Sequence, residues 1–441
     1  MPLTSIIIPA YRQAELTRQC LTSLAGSLGD LFDSTQVVLV DNAFGLEPEI
    51  SKKTAILGQS LFGGNFVWLP QAENVNFAGA CNLGAKASCG SYICFLNNDT
   101  IQSEGWLTTL LRNLKGQGGE WDVVGPLLLY PPGYDGVWPG DYGKGGTVQH
   151  LGVAITPSMR LLHLYEHIPG WHALCRRREV SILTGACFVL ERALFLRVGG
   201  FDEDFRNGFE DVDFCLRLKG EAPVRLACFP EAVVWHLCGQ SPGRSDNEIY
   251  NTDLMAAKHK TGEPEGDSGW CYLPDYQDFL AEDGLELGLT PWLTWQISDP
   301  RAMPRLDAWL LKKPALSEVG EALAATPFWL AGWLYLARQE PDADLAIEWA
   351  RQAIKFGLGP EPVLLLRRLA QARGQFDLVA RMSARLNFFV IDPDERVRTI
   401  RHLRAGFRRS CPSMVSAVDK TLNGLSEFLR VDYPAFLQER G

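Results

Sequence analysis

Ser91-Tyr-Ile-Cys-Phe-Leu-Asn-Asn-Asp-Thr100 is the stretch on which the fold turns. Its apolar run, Tyr92 to Leu96, stops abruptly in two amides, a carboxylate and a hydroxyl. A short apolar run bounded by turn residues reads as a buried strand, and open α/β sheets bind ligands at strand ends. Asp99 then projects from a rigid element into a crevice where a hard cation could meet it. The competing account is that Asn97 to Thr100 turn the chain and cap the next helix. The stretch alone leaves the two accounts level.

Upstream, Leu3 to Ile8 is a β-branched run ending at Pro9-Ala-Tyr11, which predicts a first strand. Leu16, Cys20, Leu21 and Leu24 recur at helical spacing. Val37 to Val40, ending in Asp41-Asn42, and Phe66 to Leu69 predict two more strands, and the small-residue stretch Asn74 to Ser88 predicts a helix packed closely on the sheet. Downstream, Trp106, Leu107, Leu110, Leu111 and Leu114 predict the next helix. Unbroken apolar strands alternating with helices indicate a mostly parallel sheet covered on both faces.

Residues 126–180 are rich in Gly, Pro and aromatics and read as long functional loops, with Arg176-Arg-Arg178 as a solvated basic turn or, as the lesser alternative, a contact for an anionic substrate. Strands return at Val180 to Leu183 and Cys187 to Leu190. A helix from Arg192 to Val198 leads into Gly199-Gly-Phe-Asp-Glu203. Glu210-Asp-Val-Asp213 opens another helix, where acidic residues also serve as simple N-terminal capping. Val224 to Phe229 and Ala232 to Trp235 predict two further strands, the second ending in His236.

The 441 residues, 46% hydrophobic and 21% charged, fit a globular chain of two domains. A net charge of −10 excludes general nucleic-acid binding, which needs a basic footprint. No apolar run reaches the roughly 18 residues of a membrane span. The eleven cysteines are odd in number and lack Cys-x-x-Cys, which suits a reducing cytoplasm. The expected organisation is a domain over 1–262, a connecting segment over 263–314 and a helical domain over 315–441. Within the last, Leu336-Ala337 and Leu369-Ala370, and Ala346/Ala350 and Ala380/Ala384, repeat at about 33–34 residues, as in tetratricopeptide-type repeats. Trp333, Tyr335 and Gly374 fall where such repeats keep packing and turn residues; a plain helical bundle is the other reading. Arg396, Arg398, Arg401, Arg404, Arg408 and Arg409 form a solvated helix face, or else touch an anionic membrane surface peripherally.

From spacing alone, Asp99, Glu210-Asp211 and His236 could converge on one crevice that suits Mn²⁺ or Mg²⁺. The ordered set Ile6-Ile-Ile-Pro-Ala-Tyr11, Leu39-Val-Asp-Asn42, Glu73-Asn-Val-Asn-Phe-Ala-Gly-Ala-Cys-Asn82, Phe95-Leu-Asn-Asn-Asp-Thr100, Thr184-Gly-Ala186, Val198-Gly-Gly-Phe-Asp-Glu203, Glu210 to Arg217, and His236 with Ser241 resembles the family 2 glycosyltransferases. Gln149-His-Leu-Gly152 is similar to an element of their rhamnosyltransferase-like bacterial branch. The resemblance covers about residues 1–260 and implies an α/β GT-A fold, Rossmann-like, that binds a nucleoside-diphosphate sugar. It implies donor binding by Pro9, Tyr11, Asp41, Asn74, Gly79, Asn82, Asn97, Asn98 and Asp99. It makes Asp99 and His236 ligands of Mn²⁺ or Mg²⁺, and Asp211 the catalytic base supported by Glu210. The implied enzyme is an inverting glycosyltransferase building a cell-surface or protein-linked glycan; the cysteine pattern and the basic stretch place it in the cytoplasm or at the inner membrane face. Its partners are a UDP- or dTDP-sugar, a glycan, lipid-linked or protein acceptor, and a protein docked on the helical domain.

Two departures stand out. Asn76 occupies the usual glycine position of Asn-x-Gly-Phe, which its tolerance of positive φ permits. Asn97 opens the DXD position, leaving a bound metal less negative charge. A nucleotidyltransferase is disfavoured because Pro9-Ala-Tyr-Arg-Gln13 lacks a Gly-rich phosphate loop. The remaining alternative is a non-catalytic nucleotide-sugar-binding or adaptor protein that uses its helical domain for partner binding.

Overall fold

The computed structural model describes residues 3–131, 146–155, 161–167, 175, 177–221, 224–238, 247–259, 302–325, 329–356, 360–388 and 430. Ser241 and the arginines from Arg396 to Arg409 lie outside them. The chain divides into two compact units, Met1–Val153 with His163–Thr261, and Ala154–Leu162 with Gly262–Gly441.

The first unit is built on one mixed sheet. Its strands are β1 (Thr4–Ala10), β2 (Thr35–Asp41), β3 (Phe66–Pro70), β4 (Tyr92–Leu96), β5 (Thr100–Gln102), β6 (Val123–Tyr130) and β7 (Thr147–His150). The last three are β10 (Arg178–Val180), β11 (Cys187–Glu191) and β12 (Leu226–His236), while β8 (Val153–Ile155) and β9 (Leu161–His163) form a separate pair that falls mostly in the second unit. The sheet order is β10-β12-β6-β11-β4-β1-β2-β3, with β5 on β12 and β7 on β6. β1, β2, β3 and β4 are mutually parallel, as are β6 and β12. β11 runs antiparallel to both β4 and β6 and joins the two parallel sets. The C-terminal ends of β1, β2, β4, β6 and β12 therefore share one edge with the N-terminal end of β11.

Alternation along the strands sends side chains to opposite faces, and both faces are covered. On one side Ile6 and Ile8 pack with Cys20, Leu21 and Leu24 of α1 (Ala14–Ser27), with Ala55 and Phe62 of α2 (Pro48–Phe62), and with Trp106 and Leu110 of α4 (Trp106–Leu111). On the other, Ile7 meets α3 (Asn76–Ala87) so closely that a Cβ on Gly84 would lie 2.3 Å from Ile7 Cγ2. An aromatic cluster continues this face: Phe95, Phe188, Phe201, Phe195 of α5 (Arg192–Arg197) and Phe214 of α6 (Glu210–Glu221). The last helix of this unit is α7 (Glu248–His259).

Several expectations are corrected. β6 begins inside the sheet at Val123, and β7 and β10 also fall in the stretch read as loops. Arg178 is buried rather than solvated, donating to Tyr165 Oη at 2.6 Å with its guanidinium over that ring. The two strands expected over 224–235 are one, β12, with a register shift between Phe229 and Val233. Ser181 to Leu183 are not part of a strand.

The second unit is helical: α8 (Ala302–Leu310), α9 (Leu316–Ala325), α10 (Leu330–Gln339), α11 (Ala343–Phe356), α12 (Pro360–Ala372) and α13 (Phe376–Phe388). α8 lies within the stretch read as connecting segment. Trp333 and Trp349 are buried with ring centroids 5.8 Å apart. Ala346 and Ala350 are buried but Ala380 is exposed, so the two halves of the repeat pattern do not pack alike. Among the described residues no helix is long and apolar enough to cross a membrane.

Candidate functional site

The chain leaves β4 in a tight turn fixed from three sides. Asn97 N–H donates to Ala186 O at 2.9 Å, and Thr100 Oγ1 donates to Asn97 O at 2.7 Å. Asn98 turns sideways, donating its amide to Thr17 Oγ1 on α1 at 2.9 Å. Asp99 is buried, and its backbone oxygen accepts from Leu237 N–H at 3.1 Å. β5 then pairs antiparallel with β12, setting Thr100 opposite His236. That register brings Asp99 Oδ1 to 3.1 Å from His236 Nε2. Asn97 Nδ2 lies 3.2 Å from the same nitrogen. The turn and the polar strand end carrying Asp99 are thus one structure.

His236 is buried, and its ring is held from behind by Gln149, also buried. Gln149 Oε1 lies 2.5 Å from His236 Nδ1, and Gln149 Nε2 donates to His236 O at 2.9 Å. In the neutral ring with hydrogen on Nδ1, Nε2 is a lone pair beside a carboxylate oxygen. One imidazole nitrogen and one carboxylate oxygen 3.1 Å apart suit Mn²⁺ or Mg²⁺ as part of a ligand set, so the residues fit the implied cation. Among the described residues no group of three or more His, Cys, Asp or Glu side chains is gathered for a metal. The remaining coordination positions would then fall to phosphate oxygens and water. Beneath this point Cys20 lies 3.4 Å from Thr100 Oγ1, and burial pushes its thiol up to about 11, leaving it an inert packing group.

The second carboxylate centre opens α6. Asp211 is half-buried, and its Oδ2 accepts from Gly185 N–H at 2.6 Å while Oδ1 accepts from Val212 N–H at 2.9 Å. Gly185 precedes the residue whose carbonyl holds Asn97, so Thr184-Gly-Ala186 touches both centres. A Cβ at Gly185 would lie 3.1 Å from the Phe77 ring and 3.4 Å from Asp211 Cβ, which is why a glycine stands there. Glu210 is buried and turns away to accept from Gly208 N–H at 2.6 Å. It shapes the preceding loop, in which Asn207 and Phe209 both have positive φ. Asn207 Oδ1 in turn accepts from Phe77 N–H at 3.2 Å.

Asp213 has the structural task that the sequence offered for both aspartates. It is buried between Arg217 Nε at 2.7 Å and His259 Nε2 at 2.8 Å. Burial pushes its pKa up, but the hydrogen bonds and charges of His259 and Arg217 outweigh that and hold it below the usual value. Arg217 also donates to Val198 O and Gly200 O, tying α6 to the Gly199-Gly200 turn. Cys81 on α3 feels the same region: burial, then the charges of Glu210 and Asp211, raise its thiol pKa.

The remaining expected donor residues are distributed along the edge. Pro9 is buried near the end of β1, opposite Val40, and half-buried Tyr11 follows with Arg12 over its ring. Asp41 is buried at the end of β2, its Oδ1 accepting from Ala43 N–H at 3.0 Å and Oδ2 from Trp68 Nε1 at 3.2 Å. Asn74 is exposed, and its side chain accepts from Asn76 N–H at 2.9 Å. Asn76 adopts φ +60°, so asparagine does take the glycine conformation of that turn. Gly79 lies buried in α3, where a Cβ would approach Val75 Cβ to 3.2 Å. Asn82 is engaged within the protein: its amide donates to Phe201 O and Glu203 Oε1 and accepts from Phe201 N–H. Asn82 is therefore a clamp on the Gly199–Glu203 turn. Gly200 has φ +74°, and a Cβ there would meet Asn82 Oδ1 at 2.5 Å.

Sequence reasoning left Thr17, Asn42, Trp68 and the function of Gln149 unassigned. Asn42 is buried and donates to Asn76 O at 3.2 Å, while its Oδ1 has no partner among the described residues. Its place directly after Asp41 at a strand end was the available signal; Thr17 and Trp68 had none.

Residues 5–136 match the family described as Glycosyl transferase family 2. The matched stretch runs from β1 into the residues after β6, within the mixed, mostly parallel sheet of the first unit. An O-antigen biosynthesis protein, RfbC, of Myxococcus xanthus is 29% identical over 299 residues, covering 65% of this chain and 21% of its own length. An N-acetylglucosaminyl-diphospho-decaprenol L-rhamnosyltransferase of Mycobacterium tuberculosis is 36% identical over 100 residues, covering 22% of this chain and 31% of its own. The chain thus spans between about a fifth and a third of these relatives' lengths. A mannosyltransferase from Pyrobaculum calidifontis, solved with GDP-Man and Mn²⁺, aligns with a TM-score of 0.40 and 17% identity over 80% of this chain and 86% of that one.

Proposed function

We propose that the chain is a family 2 glycosyltransferase that moves a sugar from a nucleoside-diphosphate donor, UDP- or dTDP-linked, to an acceptor hydroxyl with inversion. The observation that carries this reading is the arrangement on one sheet edge. Asp99 and His236 meet at 3.1 Å, and Asp211 is anchored on Gly185, next to the residue that holds Asn97. Tyr11, Asp41 and the Asn74–Asn76 turn lie after the neighbouring parallel strands, where a nucleotide would sit.

In the proposed reaction the acceptor oxygen attacks the anomeric carbon as the bond to the diphosphate oxygen breaks. The acceptor proton passes to Asp211, and the nucleoside diphosphate leaves with the bonding electron pair. One carboxylate positioned for proton removal is sufficient for such a single displacement. Glu210, turned to Gly208 N–H, supports this division by shaping the loop rather than offering a second base. Asp99 and His236 would hold Mn²⁺ or Mg²⁺, which supplies Lewis-acid stabilisation of the departing charge. The acceptor is a glycan, a lipid-linked sugar or a protein. Leu311 and Phe376, exposed apolar side chains of the helical unit, support acceptor or partner docking there.

The test is nucleotide release from a panel of UDP- and dTDP-sugars with and without Mn²⁺, repeated on Asp99→Ala. Turnover of at least one donor, lost in Asp99→Ala, is expected. Absence of both turnover and calorimetric binding for every donor would return the chain to the non-catalytic adaptor reading.

A further inference from the structure

We infer that Gln149 is a positioning residue for His236, fixing the imidazole so that an unprotonated Nε2 faces Asp99. The inference deepens the metal-assisted reading above and rests on it for its functional meaning.

Gln149 is placed by an irregularity in the sheet. β7 pairs antiparallel with β6, and the register steps from Leu128 opposite His150 to Leu129 opposite Val148. Gln149 is the residue left over, at a β-bulge. Bulges re-aim side chains and gather beside active sites. Here the re-aimed side chain is buried, and both ends of its amide are used on one residue 87 positions away.

Those two bonds fix which atom of the ring faces an acceptor on the Gln149 side. A backbone carbonyl can only accept, so the NH₂ end of Gln149 must face His236 O. The oxygen end then faces Nδ1, and an amide oxygen can only accept, so Nδ1 carries a hydrogen. The neutral ring consequently presents a lone pair at Nε2. Asn97 Nδ2, at 3.2 Å, is a donor suited to that lone pair. Without Gln149 the ring is free to take the other tautomer, in which Nε2–H donates to Asp99 Oδ1 at 3.1 Å and is lost as a ligand. A partner on the second ring nitrogen commonly sets the tautomer of a metal-binding histidine.

The test uses the full chain in three forms: wild type, Gln149→Leu, which removes the acceptor, and Gln149→Glu, which keeps one. Long-range ¹H–¹⁵N correlation on histidine-labelled, metal-free protein at about pH 8, above the ordinary histidine range, reads the tautomer. The His236 signal is assigned by its loss in His236→Asn. Expected are an Nδ1–H ring in wild type and Gln149→Glu, and a shift towards Nε2–H in Gln149→Leu. Mn²⁺ binding followed by electron paramagnetic resonance should weaken about 10–100-fold in Gln149→Leu and stay near wild type in Gln149→Glu. A wild-type ring protonated at Nε2 overturns the inference without any variant having to fold. So does a Gln149→Leu protein with unchanged tautomer and Mn²⁺ affinity. If the tautomer responds as expected but wild type binds no Mn²⁺, the positioning stands and the metal reading fails. If wild type binds Mn²⁺ while the tautomer ignores Gln149, the metal reading stands and the positioning fails.

Discussion

In Asp211→Asn the side chain keeps its size but can no longer take up a proton, and the surrounding hydrogen bonds define what else changes. Two backbone N–H groups, of Gly185 and Val212, now face the two carboxylate oxygens at 2.6 and 2.9 Å. An asparagine has one oxygen for these two donors, so one N–H must face an NH₂ group. Leaving such a donor unsatisfied costs about 1–3 kcal/mol, a loss that belongs to stability and appears in urea unfolding. Losing the base is separate: general-base catalysis contributes about 10²–10⁴-fold, or about 2.7–5.4 kcal/mol of barrier. Asp99 and His236 are unaltered, so calorimetric affinity for the donor should stay within about a factor of 3. The assay is initial-rate nucleotide release at saturating donor and acceptor, with donor affinity and urea unfolding measured on the same preparation. A kcat within tenfold of wild type would refute the assignment of the base. A fall in donor affinity matching the fall in rate would refute the separation of the two centres.

Gly200→Ala should destabilise the first unit by about 1–3 kcal/mol in urea unfolding, since it combines φ +74° with a 2.5 Å approach to Asn82 Oδ1. Asn76→Gly should be tolerated at φ +60°, whereas Asn76→Val should cost about 1–2 kcal/mol, because a β-branched residue is poorly accommodated there. Asp213 has a folded pKa below its ordinary value, so its contribution is present above the unfolded carboxylate pKa of about 3.9 and is lost as pH falls through the folded value. The stability gap between wild type and Asp213→Asn, followed by urea unfolding from pH 6 downward (about 6 to 3, spanning that range), should therefore narrow towards acid. Trp68→Phe removes the indole donor to Asp41 Oδ2 at 3.2 Å, and steady-state kinetics should show a raised donor KM with kcat largely kept.

The strands carrying the site were legible because each is an unbroken apolar run ending in polar residues: Ile6 to Ile8 before Tyr11, Val37 to Val40 before Asp41, Tyr92 to Leu96 before Asp99. What hid β6 was Gly125-Pro126 inside it. Within β6, β11 pairs with Val123 and Val124, so the proline stands past the end of that ladder, a position where proline is tolerated. α2 escaped because its buried face includes Ser51, Thr54 and Gly58 while Ile50 and Ile56 are exposed, which erases the apolar period. The meeting of Asp99 with His236 was open to inference from two strand ends. The use of Gln149 was not, because its target depends on a bulge and a pairing 87 residues away. Asn82 and Asp213 show the opposite limit: motif positions whose side chains are committed to Phe201, Arg217 and His259.

Thr184-Gly-Ala186 acts as a ruler. The N–H of its middle residue holds Asp211, and the carbonyl of the next holds Asn97, so the span between the two centres is written in consecutive peptide units. Those units continue directly into β11, whose register with β4 sets Cys187 opposite Leu96. Swapping surface loops to change which molecules enter would leave that span untouched. Sliding β11 by one residue against β4 would displace both centres together, so in protein engineering the strand register is the feature to hold constant while the rim is varied.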